Sequence, residues 1–192
     1  MASFMMVTPP AEGPVAVAEL RPFLRVSHEA EDGLIARLGR AAGSRVSEET
    51  GRALTAETWR MAADAGEGRI KGAFRIFALR RPPYLSFIEA RVAKDDGTSV
   101  ALPLSHVRVD ADGNAVWLKL EGFMADARAW RPVEVVWRAG VEDPAGVPEA
   151  LRTAVMLLTA AMYERRDAMG APVAALPDEV AALIAPFRVL KL

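Results

Sequence analysis

The clearest periodic pattern of apolar and polar positions lies in residues 147–169. Apolar side chains recur there at spacings of four, three and four residues, as on one face of a helix: Leu151, Val155, Leu158 and Met162. Pro148 suits the first turn of this helix, and Gly170 predicts its end. No charged residue occurs from 154 to 163. Such a helix must be covered on more than one side, either by its own fold or by neighbouring subunits.

Three further helices are predicted, two before the strands and one near the end of the chain. Residues 15–25 form a short helix that Pro22 limits. Ser27 offers an N-cap for the second helix, whose first turns are acidic and whose end is marked by Gly51. The acidic residues are Glu29, Glu31 and Asp32. The helix also contains Gly33, Gly39 and Gly43, and because glycine is unfavourable inside a helix, their presence indicates close packing against another helix. The second helix, which its glycines allow to approach closely, and the last helix, which starts at 176–179, are expected to cover two sides of the long helix.

Residues 54–139 show a different pattern, with alternation and many β-branched or aromatic side chains. The segments DDG at 95–97 and DADGN at 110–114 have the chemistry of hairpin turns, because Gly and Asn accept positive φ. The segment RPP at 81–83 forces an extended entry into the strand that begins at Tyr84. We therefore expect an antiparallel sheet of about five or six strands.

The order of these elements predicts an α+β fold, in which the N- and C-terminal helices form a helical bundle and an antiparallel β lobe is inserted between them. The predicted parts are an extended N-terminal arm (1–14), a helical body (15–53 and 147–187), the β lobe (54–146) and a C-terminal tail (188–192). The arm is either a disordered terminus or a partner contact anchored by Phe4, Met5 and Met6.

Composition places the chain among ordinary soluble globular proteins, with 52 % apolar and 26 % charged residues among 192. The net charge is −1, from 24 basic and 25 acidic residues, so a chain-wide basic field for binding nucleic acid is excluded. The absence of cysteine excludes disulfides, thiolate metal sites and a cysteine nucleophile. The first residues lack a signal-peptide pattern, and the uncharged run is shorter than the roughly 20 residues that a bilayer needs. We expect a cytosolic protein with no membrane contact.

No motif in the sequence predicts catalysis or a cofactor. The two histidines, His28 and His106, are far apart and lie in no metal-ligand pattern. A nucleophile elbow, a P-loop and a dinucleotide fingerprint are all absent. The aspartates of the two predicted turns lack the spacing of a calcium loop. We therefore expect no catalytic residue, no metal site, no cofactor and no enzymatic activity; a small enzyme whose site shows no motif is the alternative.

Four tryptophans lie in or beside the predicted strands and admit two interpretations. They are Trp59, Trp117, Trp130 and Trp137. In the first interpretation they form a sheet core with solvated charges beside it. In the second they stack single-stranded bases, together with neighbouring cations, and the protein is a nucleic-acid-binding module. Those cations are Arg60, Lys119, Arg131 and Arg138.

Several strings, in order along the chain, resemble motifs of the head–tail connector (adaptor) proteins of long-tailed phages and phage-like gene transfer agents. They are Leu24-Arg25-Val26, the acidic run 29–32, Thr50-Gly51-Arg52-Ala53-Leu54, ETW at 57–59 and the string at 79–85. The helix VPEALRTAVMLLTAAMYERRDA at 147–168 and the segment LPDEVAALIAPFRV at 176–189 also resemble that family, with Phe187 where tyrosine is frequent. Residues 60–75 and 97–130 add nothing to the resemblance.

The resemblance implies a structural protein without catalysis, which forms a dodecameric ring beneath the portal and joins the DNA-filled head to the tail. The implied partners are the portal protein, a tail-side stopper or tail-terminator protein, and other copies of this chain. Double-stranded DNA would pass through the channel without specific binding, which suits a near-neutral chain. The implied location is the host cytoplasm during assembly and then the head–tail junction of a virion or gene transfer agent particle.

Two sets of residues are candidates for contacts in such an assembly. The tail is expected to pair as a strand with an edge of the portal, and a frayed terminus is the alternative. The tail residues are Arg188, Val189, Leu190, Lys191 and Leu192. On the long helix the candidates for contact with a neighbouring subunit are Met156, Leu157 and Tyr163, of which the first two lie off the main apolar stripe.

Overall fold

The computed structural model describes residues 2–93, 98–110, 115–120, 132–165 and 175–189. These residues form α-helices and two antiparallel β-sheets, which confirms the α+β fold class. The helices are α1 (Val17–Phe23), α2 (Asp32–Thr50), α3 (Glu149–Glu164) and α4 (Asp178–Ile184). The strands are β1 (Ser3–Thr8), β2 (Glu57–Asp64), β3 (Arg69–Lys71), β4 (Phe74–Ala78), β5 (Tyr84–Ala93), β6 (Ser99–Ala101), β7 (Val107–Val109), β8 (Ala115–Lys119) and β9 (Pro132–Ala139).

The chain folds into two compact units, and each is assembled from two separate parts of the sequence. The sheet unit comprises Met1–Pro10 and Ala56–Gly140. The helical unit comprises Ala11–Thr55 and Val141–Leu192. Residues of the predicted N-terminal arm form β1, which pairs antiparallel with β2 and so belongs to the sheet unit.

The strands form two sheets rather than the single sheet that we predicted. A five-stranded sheet has the order β1-β2-β9-β5-β6, and a four-stranded sheet has the order β3-β4-β8-β7. The expected count of five or six strands is therefore wrong. The strands β3, β6 and β7 have three residues each, which is too short for an alternating pattern to be recognised.

One face of the five-stranded sheet carries an apolar core. Along β2 every second residue is buried, and β9 alternates in the same way, as a half-buried strand should. Trp59 of β2 lies opposite Trp137 of β9, and Met61 lies opposite Val135. Trp137 is the largest of the fully buried side chains in the described part of the chain.

The helix α3 is at the centre of the helical unit, as its apolar stripe predicts. Its stripe residues Leu151, Val155 and Leu158 are buried. Both α2 and α4 pack against α3, so two sides of the helix are covered as expected. The helix begins at Glu149, one residue after the N-cap Pro148, and the predicted end at Gly170 lies outside the described residues.

The start of α2 differs from the prediction. The N-cap is Glu31 rather than Ser27, and no side chain caps the helix. Arg21 of α1 attracts two acidic residues near the start of α2: its Nη1 lies 3.2 Å from Glu29 Oε1, and its Nε lies 3.6 Å from Asp32 Oδ1. Of the acidic residues predicted for the first turns, only Asp32 lies in the first turn of α2. The carboxylates near the start of α2 thus tie it to α1 by charge.

Two of the three glycines in α2 permit close contacts, but not with the expected helix. A Cβ at Gly39 would lie 2.8 Å from Leu20 Cδ1 of α1, and one at Gly43 would lie 3.1 Å from Pro14 Cδ. Nothing lies within 4 Å of a Cβ at Gly33. The glycines therefore accommodate α1 and the segment before it, and the expectation that they bring α2 close to α3 is wrong.

Gly51 ends α2 in the left-handed conformation, with a φ of +71°. We expect Gly51→Ala to lower the free energy of unfolding by about 1 kcal/mol, because a Cβ is unfavourable at this φ. Gly33→Ala is the matched control, since it adds a methyl group inside the same helix in open space and should stabilise by up to ~1 kcal/mol. Urea unfolding of both variants measures the difference. Effects of the same sign would contradict the assigned end of α2.

Candidate assembly surfaces

The last described residues of the chain lie against the C-terminal end of α2. The backbone N–H of Val189 donates a hydrogen bond of 2.8 Å to the carbonyl oxygen of Thr50. Arg52 Nε donates a second bond, also of 2.8 Å, to the carbonyl oxygen of Phe187. Thr50 and Arg52 both belong to the TGRAL motif at 50–54. Residues of that motif therefore bind the segment that leads into the tail.

The side chains of Arg188 and Val189 add to this attachment. Arg188 Nη2 lies 3.5 Å from Glu49 Oε2, and Val189 packs close to the Cα of Gly51. The backbone of Arg188 is extended, and Val189 still exposes 40 % of its surface. The first two of the five candidate portal contacts are thus fixed on the helical unit, whereas Leu190, Lys191 and Leu192 lie outside the described residues.

The three candidate subunit contacts on α3 are half-buried. Met156, Leu157 and Tyr163 pack against the apolar core of the helical unit. The hydroxyl of Tyr163 also donates a hydrogen bond to the carboxylate of Glu31. Because these side chains contact their own unit, a charge at Leu157 would disturb the core as well as any subunit contact. Their contact with a neighbouring subunit stays a prediction.

The strand β1 is an edge strand of the five-stranded sheet, and much of it is exposed. Phe4 contacts its own unit: its ring meets Trp137 edge to face at a centroid distance of 6.3 Å, and the Arg80 guanidinium lies 4.4 Å from its centroid. The exposed apolar residues are Met5 (49 %), Met6 (40 %) and Val7 (50 %). Of the three anchors proposed for the arm, only Met5 and Met6 are thus available to a partner, at an edge where another strand can pair.

The tryptophans do not form one platform for stacking bases. Trp59 and Trp137 expose 7 % and 1 % of their surfaces, so their rings belong to the core of the five-stranded sheet. Trp117 lies in β8 of the other sheet and is half-buried. Trp130 and its neighbour Arg131 lie outside the described residues. Two of the four rings are therefore unavailable to a nucleic acid.

A buried carboxylate lies beside the tryptophan core. Glu57, the first residue of β2, is 5 % exposed, and Trp59 Nε1 donates a hydrogen bond of 2.7 Å to its Oε1. The Arg81 guanidinium lies 4.9 Å from the centroid of the Trp59 ring. Burial raises the pKa of Glu57 above its ordinary value of 4.5, although the Trp59 bond and the charge of Arg81 act in the opposite direction. No spacing in the sequence marks this group, because its burial depends on neighbouring strands.

The raised pKa of Glu57 gives the stability a defined pH dependence. Between pH 4.5 and the folded pKa, the native state holds a proton that the unfolded state has lost, so stability falls as pH rises. We expect Glu57→Gln, which keeps the acceptor for Trp59, to be more stable than wild type at neutral pH. Below pH 4.5 the two proteins should become equally stable.

Urea unfolding across this pH range tests the expectation. The control is Glu134→Gln, which removes a half-exposed carboxylate whose Oε1 lies 3.9 Å from Arg60 Nη1; the free energy of unfolding should change by less than ~1 kcal/mol at any pH. A wild-type protein that gains stability relative to Glu57→Gln as pH rises would contradict the raised pKa.

The remaining candidates from the sequence are not brought together. His106 Nδ1 lies 2.9 Å from the carbonyl oxygen of Lys119 in the sheet unit, whereas His28 precedes α2 in the helical unit. Asp110 Oδ1 accepts a hydrogen bond from the N–H of Ala115. Within the described ranges, no group of three or more metal-binding side chains occurs, and no helix is long and apolar enough to cross a membrane. The expected lack of catalytic, metal and cofactor sites stays a prediction.

The same fold occurs in gene transfer agent (GTA) particles. A chain in the virion of a native GTA particle has a TM-score of 0.75 and 26 % identity, with 98 % of this chain and 96 % of that chain covered. A chain in the neck of an empty GTA particle, computed with C6 symmetry, has a TM-score of 0.77, 24 % identity and coverages of 99 % and 97 %. A chain in the neck of a native GTA particle, computed with C12 symmetry, has a TM-score of 0.71, 24 % identity and coverages of 100 % and 97 %. No protein-family model and no curated protein matches this chain.

These matches extend over both units of the chain, and they agree with the resemblance that the motifs suggested. The sequence did not predict the contact between the TGRAL motif and the segment at 187–189. Arg52 and Phe187 are 135 residues apart, and no local periodicity links them. The one indication in the sequence was that the strings at 50–54 and 176–189 both resemble motifs of the same family.

Proposed function

We propose that this chain is a head–tail connector (adaptor) protein of a phage or GTA particle. The observation that carries this proposal is the likeness to a chain of the native GTA virion, which covers 98 % of this chain and 96 % of that one. The match includes both units, so it is a likeness to a whole particle component rather than to one common motif. The connector motifs, in their expected order along the chain, support the same role.

In this role twelve copies form a closed ring beneath the portal. A ring of identical chains requires one heterologous interface that repeats around the axis, and a neck chain with this fold occurs in a GTA particle computed with C12 symmetry. The portal lies on the head side of the ring, and a stopper or tail-terminator protein lies on the tail side. Double-stranded DNA passes through the channel, and the protein performs no catalysis.

The tail supplies the contact with the portal. The hydrogen bond from Val189 to Thr50 and the ion pair of Arg188 with Glu49 fix the base of the tail on α2. In this role the tail adds as a strand to a portal edge, and the extended backbone at Arg188 is compatible with such pairing. A fixed base reduces the freedom lost on binding, which favours such a contact. The chain acts in the host cytoplasm during assembly and then at the head–tail junction.

Disruption of the gene in the strain that produces the particles tests this function. Negative-stain electron microscopy should then show DNA-filled heads and separate tails, with joined particles restored by a plasmid copy of the gene. Matched complementation with Gly33→Ala, which is expected to fold normally, controls for expression of a variant chain. Joined, DNA-filled particles in the disrupted strain would contradict the connector role.

A further inference from the structure

We propose that one face of the four-stranded sheet binds the phosphodiester backbone of double-stranded DNA without reading its sequence. The pairing register places two rows of side chains on this face. The first row runs from Arg69 through Ile76 and Trp117 to Arg108. The second row runs from Lys71 through Phe74 to Lys119. These residues are called the basic face below.

The burial of the sheet shows that the basic face is the exposed one. The residues Phe77, Val116 and Leu118 alternate with those of the basic face and expose 5 %, 0 % and 0 % of their surfaces, so the opposite face is buried along the two central strands. On the basic face, Arg69, Lys71 and Arg108 are exposed, whereas the aromatic residues between them are half-buried. Cations thus surround an aromatic centre on a surface that solvent and a ligand can reach.

The aromatic centre holds two of the cations in place. Lys71 Nζ lies 5.1 Å and Arg108 Cζ lies 5.5 Å from the centroid of the Trp117 ring, within cation–π range. Phe74 packs edge to face against the same ring, at 6.1 Å. Because cations and Phe74 already contact the Trp117 ring, stacking of a base on it is disfavoured, and contact with phosphates is favoured. Cations already placed on a ring also lose less freedom when they bind.

Three cations of the basic face, Arg69, Lys71 and Arg108, are exposed to solvent and available to a ligand. No carboxylate shares the two rows with the cations. Within the part of the chain that the structure describes, Arg69, Lys71 and Arg108 form no ion pair. Among the described residues, Arg69, Lys71 and Arg108 therefore form a local cluster of positive charge, which the near-zero net charge of the chain does not reveal, and such clusters attract polyanions.

The spacing of the cations suits a duplex. Arg69 and Arg108 lie on strands three positions apart, or ~14 Å at ordinary strand spacing, which is comparable to the ~12 Å width of the major groove. Phosphates on both sides of a groove can therefore be contacted together. Duplex DNA also carries one charge per ~1.7 Å of its axis, a density that acidic protein surfaces do not reach. This inference goes beyond the connector role, since a single chain should bind without a ring.

Fluorescence anisotropy of a labelled duplex of about 30 base pairs, titrated with the purified chain at several salt concentrations, tests the proposal. With three phosphates neutralised, the slope of log K against log salt should be about −3. The double variant Lys71→Gln/Arg108→Gln should bind at least ~10-fold more weakly at 50 mM salt, and its slope should approach −1. Arg69→Gln, which should lower the slope by about one, provides a second test if the double variant folds poorly.

The matched control is Arg60→Gln/Arg91→Gln, which removes the same charge from the five-stranded sheet. Both arginines are exposed to a similar degree, 40 % and 38 %, and lie near Glu134 and Glu89. This control should retain the wild-type affinity and slope. Absence of duplex binding at 50 mM salt, or equal losses in both double variants, would overturn the proposal.

Two further ligands distinguish the chemistry of the bound polyanion. Polyglutamate of equal charge should displace the labelled duplex at least ~10-fold more weakly than unlabelled duplex DNA does, because its charge density is lower. If both compete equally well, the partner of this face is an acidic protein rather than DNA, and the proposal is overturned. Single-stranded oligonucleotide should also bind more weakly. Tighter binding of the single strand with quenching of indole fluorescence would show base stacking and overturn the backbone contact. Failure of these experiments leaves the connector role untouched, because that role is read from joined particles.

Discussion

Replacement of Trp137 by alanine is expected to lower the free energy of unfolding of the sheet unit by ~3–5 kcal/mol. Trp137 exposes 1 % of its surface. It lies opposite Trp59 of β2 and Phe87 of β5, and its ring meets Phe4 of β1 edge to face. Truncation would therefore remove contacts with three strands and leave a cavity that paired strands close only in part.

Urea unfolding followed by circular dichroism measures this loss. The control is Ile88→Ala in β5, because Ile88 exposes 47 % of its surface and should change the free energy of unfolding by at most ~0.5 kcal/mol. A loss for Trp137→Ala no larger than that of the control would contradict the buried core of the five-stranded sheet. It would also restore the stacking platform as an interpretation of the tryptophans.

Removal of residues 190–192 is expected to abolish binding to the portal while the fold stays intact. The truncated chain keeps Val189, whose hydrogen bond to Thr50 fixes the end of the helical unit, so the free energy of unfolding should change by less than ~0.5 kcal/mol. Strand addition depends on backbone groups and on alternating side chains, and the truncation removes those beyond Val189. Copurification with tagged portal protein measures the binding.

Lys191→Gln is the control for the truncation. It removes the charge but keeps the backbone and the two leucines at 190 and 192, so it should copurify with the portal as the wild type does. Removal of all five tail residues would be less informative, because it would also break the contacts of Arg188 and Val189 with α2. A truncated chain that copurifies as well as the wild type would remove the tail from the portal contact.

The helical part of the fold could be predicted from the sequence because its signals are local. The stripe of α3 repeats within one helix, and Leu151, Val155 and Leu158 are buried as that stripe requires. The end of α2 at Gly51 follows from the ability of glycine to adopt a positive φ. The predicted start of α2 at Ser27 was wrong. The acidic residues Glu29 and Asp32 contact Arg21, which belongs to a different helix, so the local sequence does not show these contacts.

The sheet topology and the surfaces could not be predicted, because they depend on residues distant in sequence. The apolar run of β1 shows no alternation, and it becomes a strand through pairing with β2, which begins at Glu57. The basic face collects Arg69 and Lys71 from β3 and Arg108 from β7. Spacing along the chain does not show that these cations share one surface. Gly39 likewise indicates that another part of the chain lies close to α2, but only the fold shows that this neighbour is Leu20 of α1.

The position of this chain in an intact particle tests the connector role most directly. A cryo-electron microscopy reconstruction of the neck, combined with cross-linking mass spectrometry to identify each chain, would give that position. We expect twelve copies in one ring beneath the portal, with cross-links from the lysine at 191 to portal residues. Finding the chain in the capsid shell or the tail tube, or missing from purified particles, would contradict it.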